Sequence, residues 1–260
     1  MNYDANGVPW LADKEIEQIA YRLLRLVDPS CLDTADTTPI PKIIAFLEQN
    51  KGLKVVHEND LGFVNGRMIR GKTQLKEGII LLDADMAVNN QAMYFMTVAH
   101  EIGHWSLHRS RRITINNDQS IKSFEDDEYS YWDKDELNVV KRKKDLTTPV
   151  DRLEHQAKVF AANLLMPREP FIKLVMALQY NLGGSQQHLG QIYLTDHKHD
   201  YYHRLVAMLQ ELFNVSKQAV SVRFKELGML VDNRGKKLTN KEAIRAESIR
   251  REQEQEWRRR

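Results

Sequence analysis

Two histidines four residues apart, the first followed directly by a glutamate, constrain this chain more than any other feature. They stand in Val98-Ala99-His100-Glu101-Ile102-Gly103-His104-Trp105-Ser106-Leu107-His108. On an α-helix that spacing puts both imidazoles on one face, about 6 Å apart along the axis and within reach of one metal ion. Glu101, one step round, lies beside such an ion's open position, where a carboxylate takes a proton from water. This is the H-E-x-x-H arrangement of zinc hydrolases. A five-residue pattern with two free positions also arises by chance, so it needs a helix around it. Phe95, Val98, Ala99, Ile102 and Trp105 recur at helical spacing and supply an apolar stripe. The plain alternative is a buried helix that happens to carry histidines. His108 lies about 12 Å along the axis from His100, too far to share its ion. Leu107 and Ser110 stand where the longer H-E-x-x-H-x-x-G-x-x-H pattern has glycine and histidine. His108 therefore reads as an outer partner of the ligands or a helix-end residue.

A catalytic zinc site needs a third protein ligand and one open position. Thr148-Pro149-Val150-Asp151 opens a second helix, and Glu154 sits near its start. Ala157, Phe160, Ala161, Leu164 and Leu165 form the apolar face of that helix, with small residues where two helices must approach closely. A carboxylate on a neighbouring helix is what two histidines on one helix require. His155 competes for the role, although it points about 100° away from Glu154. Glu154 also reads as a solvated helix-start carboxylate favoured by the helix dipole.

With 260 residues the chain is long enough for a substantial core, and its hydrophobic fraction of 42% is ordinary for a globular protein. A formal net charge of +2 does not by itself imply nucleic-acid binding. The single cysteine, Cys31, excludes an internal disulfide and fits a reducing compartment. No leader-like apolar run follows Met1, and Ile79-Ile80-Leu81-Leu82 is too short to span a bilayer. A cytoplasmic protein with no membrane contact is expected.

Asp13 is expected to cap a helix over residues 13–27, with Ile16, Ile19, Ala20, Leu23, Leu24 and Val27 on its buried face. A polar loop with Thr37 and Thr38 follows, then a helix over 40–50 with Pro41 in its first turn, stopped at Lys51-Gly52. Short strands are expected over 53–56, over 63–69 with a turn at Asn65-Gly66, and over 78–82. They imply a small sheet beside the histidine helix, whose edge either binds an extended peptide or serves as scaffold. The fold class is α+β, mainly helical. Residues 110–148 carry acidic (Glu125 to Glu128) and basic (Lys141 to Lys144) blocks and no sustained period. They read as a charged insertion loop, with a short helix near 136–140, or as a lid over the cleft.

Both motifs together resemble the ImmA/IrrE family of metallopeptidases. The first match is Val98 to His104 followed by Leu107-His108. The second, more specific, is Glu154-x-x-Ala157-x-x-Phe160-Ala161-Ala162-x-Leu164-Leu165-Met166-Pro167. Ile40-Pro41, the strand at 78–81, and Phe213-x-Val215-Ser216-x-Gln218-Ala219-Val220-x-x-Arg223-Phe224-x-x-Leu227-Gly228 are similar too. The resemblance implies a zinc endopeptidase with His100, His104 and Glu154 as ligands and Glu101 as general base. It also implies helix-turn-helix repressors as the substrate class, cleaved to relieve repression in mobile elements, phages or stress responses. The family usually has Asn four residues after the ligand glutamate, where this chain has Lys158. A lysine only donates, so a ligand histidine's N–H must find another acceptor, with Asp151 or a backbone carbonyl available.

Downstream, a helix is expected over 169–182. His188, His197, His199, His203, Tyr193, Tyr201 and Tyr202 follow, any of which is a candidate to steady an oxyanion. Residues 204–232 read as a helix-turn-helix-like segment, Ser216 capping its second helix. Lys217, Gln218, Ser221, Arg223 and Lys225 would face a DNA groove if the pair were a reader. A helix pair completing the peptidase core is the favoured reading. The expected organisation is a metallopeptidase domain over 1–235 and a charged tail over 236–260. The rival reading is a DNA-binding transcriptional regulator with a structural or inactive metal site.

Overall fold

The computed structural model describes residues 3–4, 7–64, 66–109, 120–124, 148–182, 189–194, 200–232 and 248. The chain is α+β. Helix α1 spans Asp13–Val27 and buries Ile16, Ala20, Leu23 and Leu24, one face of the expected stripe. Its cap differs from expectation. Asp13 is the first helical residue, Ala12 holds the cap position, and Glu15 reaches back to accept the Ala12 N–H at 2.8 Å. The carboxylate thus closes the helix start from three residues inside. After a 3₁₀ turn (Pro29–Leu32), α2 spans Ile40–Lys51 and stops at Gly52, whose φ of +70° suits glycine. The loop between them is fastened to distant helices, Thr38 Oγ1 donating to the Leu164 carbonyl at 2.8 Å.

Strands β1 (Lys54–Glu58), β2 (Phe63–Val64), β3 (Arg67–Gln74) and β4 (Ile79–Asp83) follow. They lie in the order β1-β4-β3-β2, with β1 parallel to β4 and β3 antiparallel to it. A fifth strand, β5 (Ser120–Phe124), pairs antiparallel with β3, Thr73 opposite Ile121. It comes from within the expected insertion loop. Its apolar residues Ile121 and Phe124 are three apart, so no period of two announces it in sequence. The strand is defined by its pairing with β3. The short helix expected near 136–140 and the tail over 236–260 lie outside the described residues, Ser248 apart. On the opposite edge, the Val55 N–H donates to Glu48 at 3.0 Å.

Helices α3 (Ala84–Asn89) and α4 (Gln91–His108) come next, then α5 (Pro149–Leu165) and α6 (Arg168–Asn181). Helices α7 (Asp200–Phe213) and α8 (Lys217–Glu226) close the fold, with β6 (Ile192–Leu194) parallel to β7 (Leu230–Asp232). One core joins most of the helices, from Leu24 and Ile43 through Val98, Ile102, Phe160 and Leu164 to Phe171, Phe213 and Phe224. Phe171 stacks on Phe213 and meets Phe224 edge-on, so α6, α7 and α8 meet in aromatic contacts. Among the described residues no helix is long and apolar enough to cross a membrane.

Candidate metal centre

Helix α4 starts at Asn90, whose side chain accepts the Met93 N–H at 3.1 Å, and runs unbroken to His108. Burial along it is nearly complete over its last three turns. His100, Glu101, His104 and His108 all lie inside, Glu101, His104 and His108 with no exposure at all. Helix α5 begins at Thr148, which exchanges hydrogen bonds with Asp151: the Thr148 N–H reaches the carboxylate at 3.1 Å and Thr148 Oγ1 accepts the Asp151 N–H at 3.1 Å. The two helices cross where their side chains are smallest. A Cβ on Gly103 would come within 3.1 Å of the Ala157 carbonyl and of the Phe160 ring. That close approach carries Glu154 to the histidines.

His100 Nε2 and His104 Nε2 lie 2.9 Å apart. Glu154 Oε2 is 3.2 Å from the first and Oε1 is 3.3 Å from the second. A tetrahedral ion with bonds of about 2.0 Å spaces its ligand atoms by roughly 3.3 Å. The three groups therefore form a set able to hold one metal ion. Glu154 Oε2 is buried without a hydrogen-bond donor, which fits a carboxylate shaped for a cation. Two neutral imidazoles and a carboxylate are also the donor types zinc takes.

The electrostatics follow from this geometry. Burial alone pushes the Glu154 pKa up, but the two imidazoles outweigh it and hold the carboxyl well below its usual range. Burial works to lower His104, and the adjacent Glu154, with Glu101 behind it, carries its pKa above the ordinary value. The charge of Lys158, one turn after Glu154 on α5, acts on His104 in the opposite direction. His108 is pushed down to about 3 by burial and by His104, and is neutral at any physiological pH.

Glu101 faces the sheet. Its Oε2 accepts a short hydrogen bond from Thr73 Oγ1 on β3, which also lies 3.3 Å from the Glu101 carbonyl. The strand comes so near that a Cβ on Gly71 would fall 2.7 Å from Glu101 Oε1. Here glycine is needed for proximity, not for its backbone angles. Neither Thr73 nor Gly71 is marked by any local sequence pattern, since both act through a strand pairing and a helix laid across it.

The structure brings His100, His104 and Glu154 to one place, with Glu101 on the same helix and its carboxylate on Thr73 of β3. His108 lies against His104, with the two Nδ1 atoms 3.3 Å apart. Asp151, the other candidate for an outer partner, closes the start of α5. His155, the rival third ligand, points away and meets Asp13 at 3.3 Å. Of the oxyanion candidates, His188, His197 and His199 lie outside the described residues, and so does the Tyr193 side chain. The Tyr202 hydroxyl is buried against Ser221 at 2.8 Å, and His203 is exposed.

In the helix pair, Ser221 and Arg223 are turned inward. Arg223 is only 3% exposed and donates to the Met166 carbonyl, Asn163 and Glu226. These two side chains pack α8 onto its neighbours and do not face outward, whereas Lys217 is exposed and Gln218 and Lys225 are half-buried.

No protein-family model matches this chain, and no curated protein sequence matches it. A solved structure described as a Mycobacterium tuberculosis transcriptional regulator is similar over 80% of this chain, with 12% identity and a TM-score of 0.44. This chain covers 45% of that structure's length.

Proposed function

We propose that this protein is a zinc-dependent endopeptidase acting on a protein substrate. The observation that carries the reading is the convergence of His100, His104 and Glu154 at ligand spacing with Glu101 on the same helix. Bound by those three residues, zinc would supply Lewis acidity to a peptide carbonyl and make water more acidic. The chain's own residues do the rest. His100, His104 and Glu154 would fix the place of reaction on two helices in close contact at Gly103 and Ala157. Glu101 takes the proton from the attacking water and delivers it to the leaving nitrogen as the C–N bond breaks. Thr73 holds that carboxylate by one oxygen. The resemblance to ImmA/IrrE metallopeptidases supports a helix-turn-helix repressor as substrate, with cleavage serving regulation.

The test combines substrate and variant. The zinc-loaded protein is incubated with helix-turn-helix repressors encoded near its gene, and fragments are identified by mass. Wild type is expected to cut one of them at a defined bond. Glu101→Gln keeps the size of the side chain and loses its basicity. It is expected to bind one zinc per chain and to cleave about 10²–10⁴-fold more slowly. Cleavage by Glu101→Gln at the wild-type rate would remove Glu101 from the role of base. Loss of zinc from it would redraw the ligand set.

A further inference from the structure

A metal-ligating histidine works only with its lone pair turned to the ion, so something must place the proton on its other nitrogen. The Lys158 ammonium carries no lone pair to receive that proton. A line of buried hydrogen bonds running away from His104 does. His104 Nδ1 lies 3.3 Å from His108 Nδ1. His108 Nε2 lies 3.0 Å from Gln156 Oε1. Gln156 Nε2 donates to the Pro9 carbonyl at 2.6 Å. All three side chains are buried, Gln156 at 3% exposure and the histidines at none.

The direction of every bond follows from its far end. A carbonyl oxygen only accepts, so the amide nitrogen of Gln156 must face Pro9. Its oxygen then faces His108 and, accepting only, requires a proton on His108 Nε2. A neutral imidazole carries one N–H, so His108 Nδ1 is a bare acceptor. His104 Nδ1 must therefore donate to it, and in the neutral ring His104 Nε2 keeps its lone pair toward His100 and Glu154. We propose that Gln156, anchored on the Pro9 carbonyl, sets the tautomer of His104 through His108 and so prepares the site for a metal ion. Gln156 and His108 are positioning residues in this scheme.

The anchor is itself fixed. Val8 is fully buried beside Leu153 of α5 and Leu75. Its N–H donates to Asp4 at 2.9 Å, and Asp4 pairs with Arg152 one turn before Gln156. The Arg152 guanidinium lies under the Trp10 ring, 4.4 Å from its centre. Residues flanking Pro9 on both sides are thus fastened to the helix that carries Gln156. A segment about a hundred residues from the histidines in sequence holds their hydrogen-bond polarity.

This inference rests on the metal-site reading above, and its test is built to fail separately. Zinc affinity of the full chain is measured by competition with a chromophoric chelator, for wild type, Gln156→Leu, Gln156→Met, Gln156→Glu and His108→Phe. The Leu, Met and Phe variants break the relay and are expected to bind zinc roughly 10–100-fold more weakly. Gln156→Glu still accepts from His108 Nε2–H, whether ionised or protonated, and is expected to stay within about threefold of wild type. In parallel, long-range ¹H–¹⁵N spectra of the metal-free protein read the tautomers directly. The wild type is expected to show His104 protonated at Nδ1 and His108 at Nε2, with that preference lost in Gln156→Leu. Folded Leu and Met variants with wild-type zinc affinity would overturn the proposal, as would a wild-type His108 protonated at Nδ1. If wild type binds no zinc, the peptidase reading falls, while the tautomers still decide the relay.

Discussion

Two of the helix contacts that bury hydrogen-bonding side chains among the described residues are satisfied in different ways. Where α5 meets α8, each nitrogen of Arg223 has its acceptor: Nε on the Met166 carbonyl, Nη1 on Glu226 and Nη2 on Asn163. Where α4 meets α5, two ring nitrogens and a carboxylate converge on one point at ligand spacing, about 3 Å from one another. A closed network of the first kind serves packing, because every desolvated group is repaid inside the protein. Such a convergent set is costly unless a proton or a metal ion joins it. The contrast distinguishes these two contacts without appeal to sequence motif.

The contrast breaks most sharply at Glu154. Glu154→Ala removes one of three ligands and is expected to weaken zinc binding by more than the roughly 10–100-fold that loss of an outer partner costs. His155→Ala, whose ring meets Asp13 and points away from the site, is expected to leave zinc affinity unchanged. Bound metal after dialysis decides the point, and equal retention by both variants would put the third ligand elsewhere. Arg223→Met is the matching break on the scaffold side. It strands the buried Asn163 oxygen and the Met166 carbonyl, so thermal unfolding is expected to show a loss of about 2–4 kcal/mol. Zinc affinity of the folded fraction should not move. A salt-sensitive DNA complex lost in Arg223→Met with stability intact would revive the surface role that its burial excludes.

How far sequence reached follows the same division. His100 and His104 lie on one helix, so their juxtaposition is a local property that spacing reports. The buried face of α5 at Ala157, Phe160, Ala161, Leu164 and Leu165 is legible for the same reason. Choosing Glu154 over His155 needed the longer motif, since both stand at the start of one helix. Thr73, Gly71, Gln156 and Pro9 reach the site through strand pairing and tertiary hydrogen bonds, which no periodicity encodes. Arg223 faces a groove only in the DNA-reading alternative, because a basic residue on a short helix reads as exposed, and only the packed structure supplies the carbonyl and amide that draw it inside. The edge strand β5 is not legible in sequence because its pairing partner, not its own pattern, makes it a strand.

A smaller effect tests how firmly the sheet steadies the base. Thr73→Val keeps the branched shape that fits β3 and deletes the hydroxyl that donates to Glu101. Zinc affinity is expected to stay at the wild-type value while kcat for substrate cleavage falls about tenfold, toward the low end of what general-base catalysis supplies. Thr73→Ser is expected to recover most of it. In the Glu101→Gln background Thr73→Val should cost little further. A full additional tenfold loss there would show that Thr73 acts on something other than Glu101.

The smallest change falls on Gly103, where site and scaffold are the same atoms. An added Cβ would stand 3.1 Å from the Ala157 carbonyl and the Phe160 ring, close enough that one helix must give by a few tenths of an ångström. Two effects on stability oppose each other. Alanine gains about 1 kcal/mol of helix propensity over glycine, and overpacking a tight contact costs about 1–3 kcal/mol. Gly103→Ala is therefore expected to melt within a few degrees of wild type. The metal site has no such compensation. Any parting of α4 and α5 moves Glu154 from the two imidazoles, which are held on the opposite helix. Zinc affinity is expected to fall severalfold with the melting temperature nearly unchanged. A variant that loses stability and keeps its affinity would mean that the helices yield elsewhere, and that the close approach at Gly103 does not set the ligand geometry.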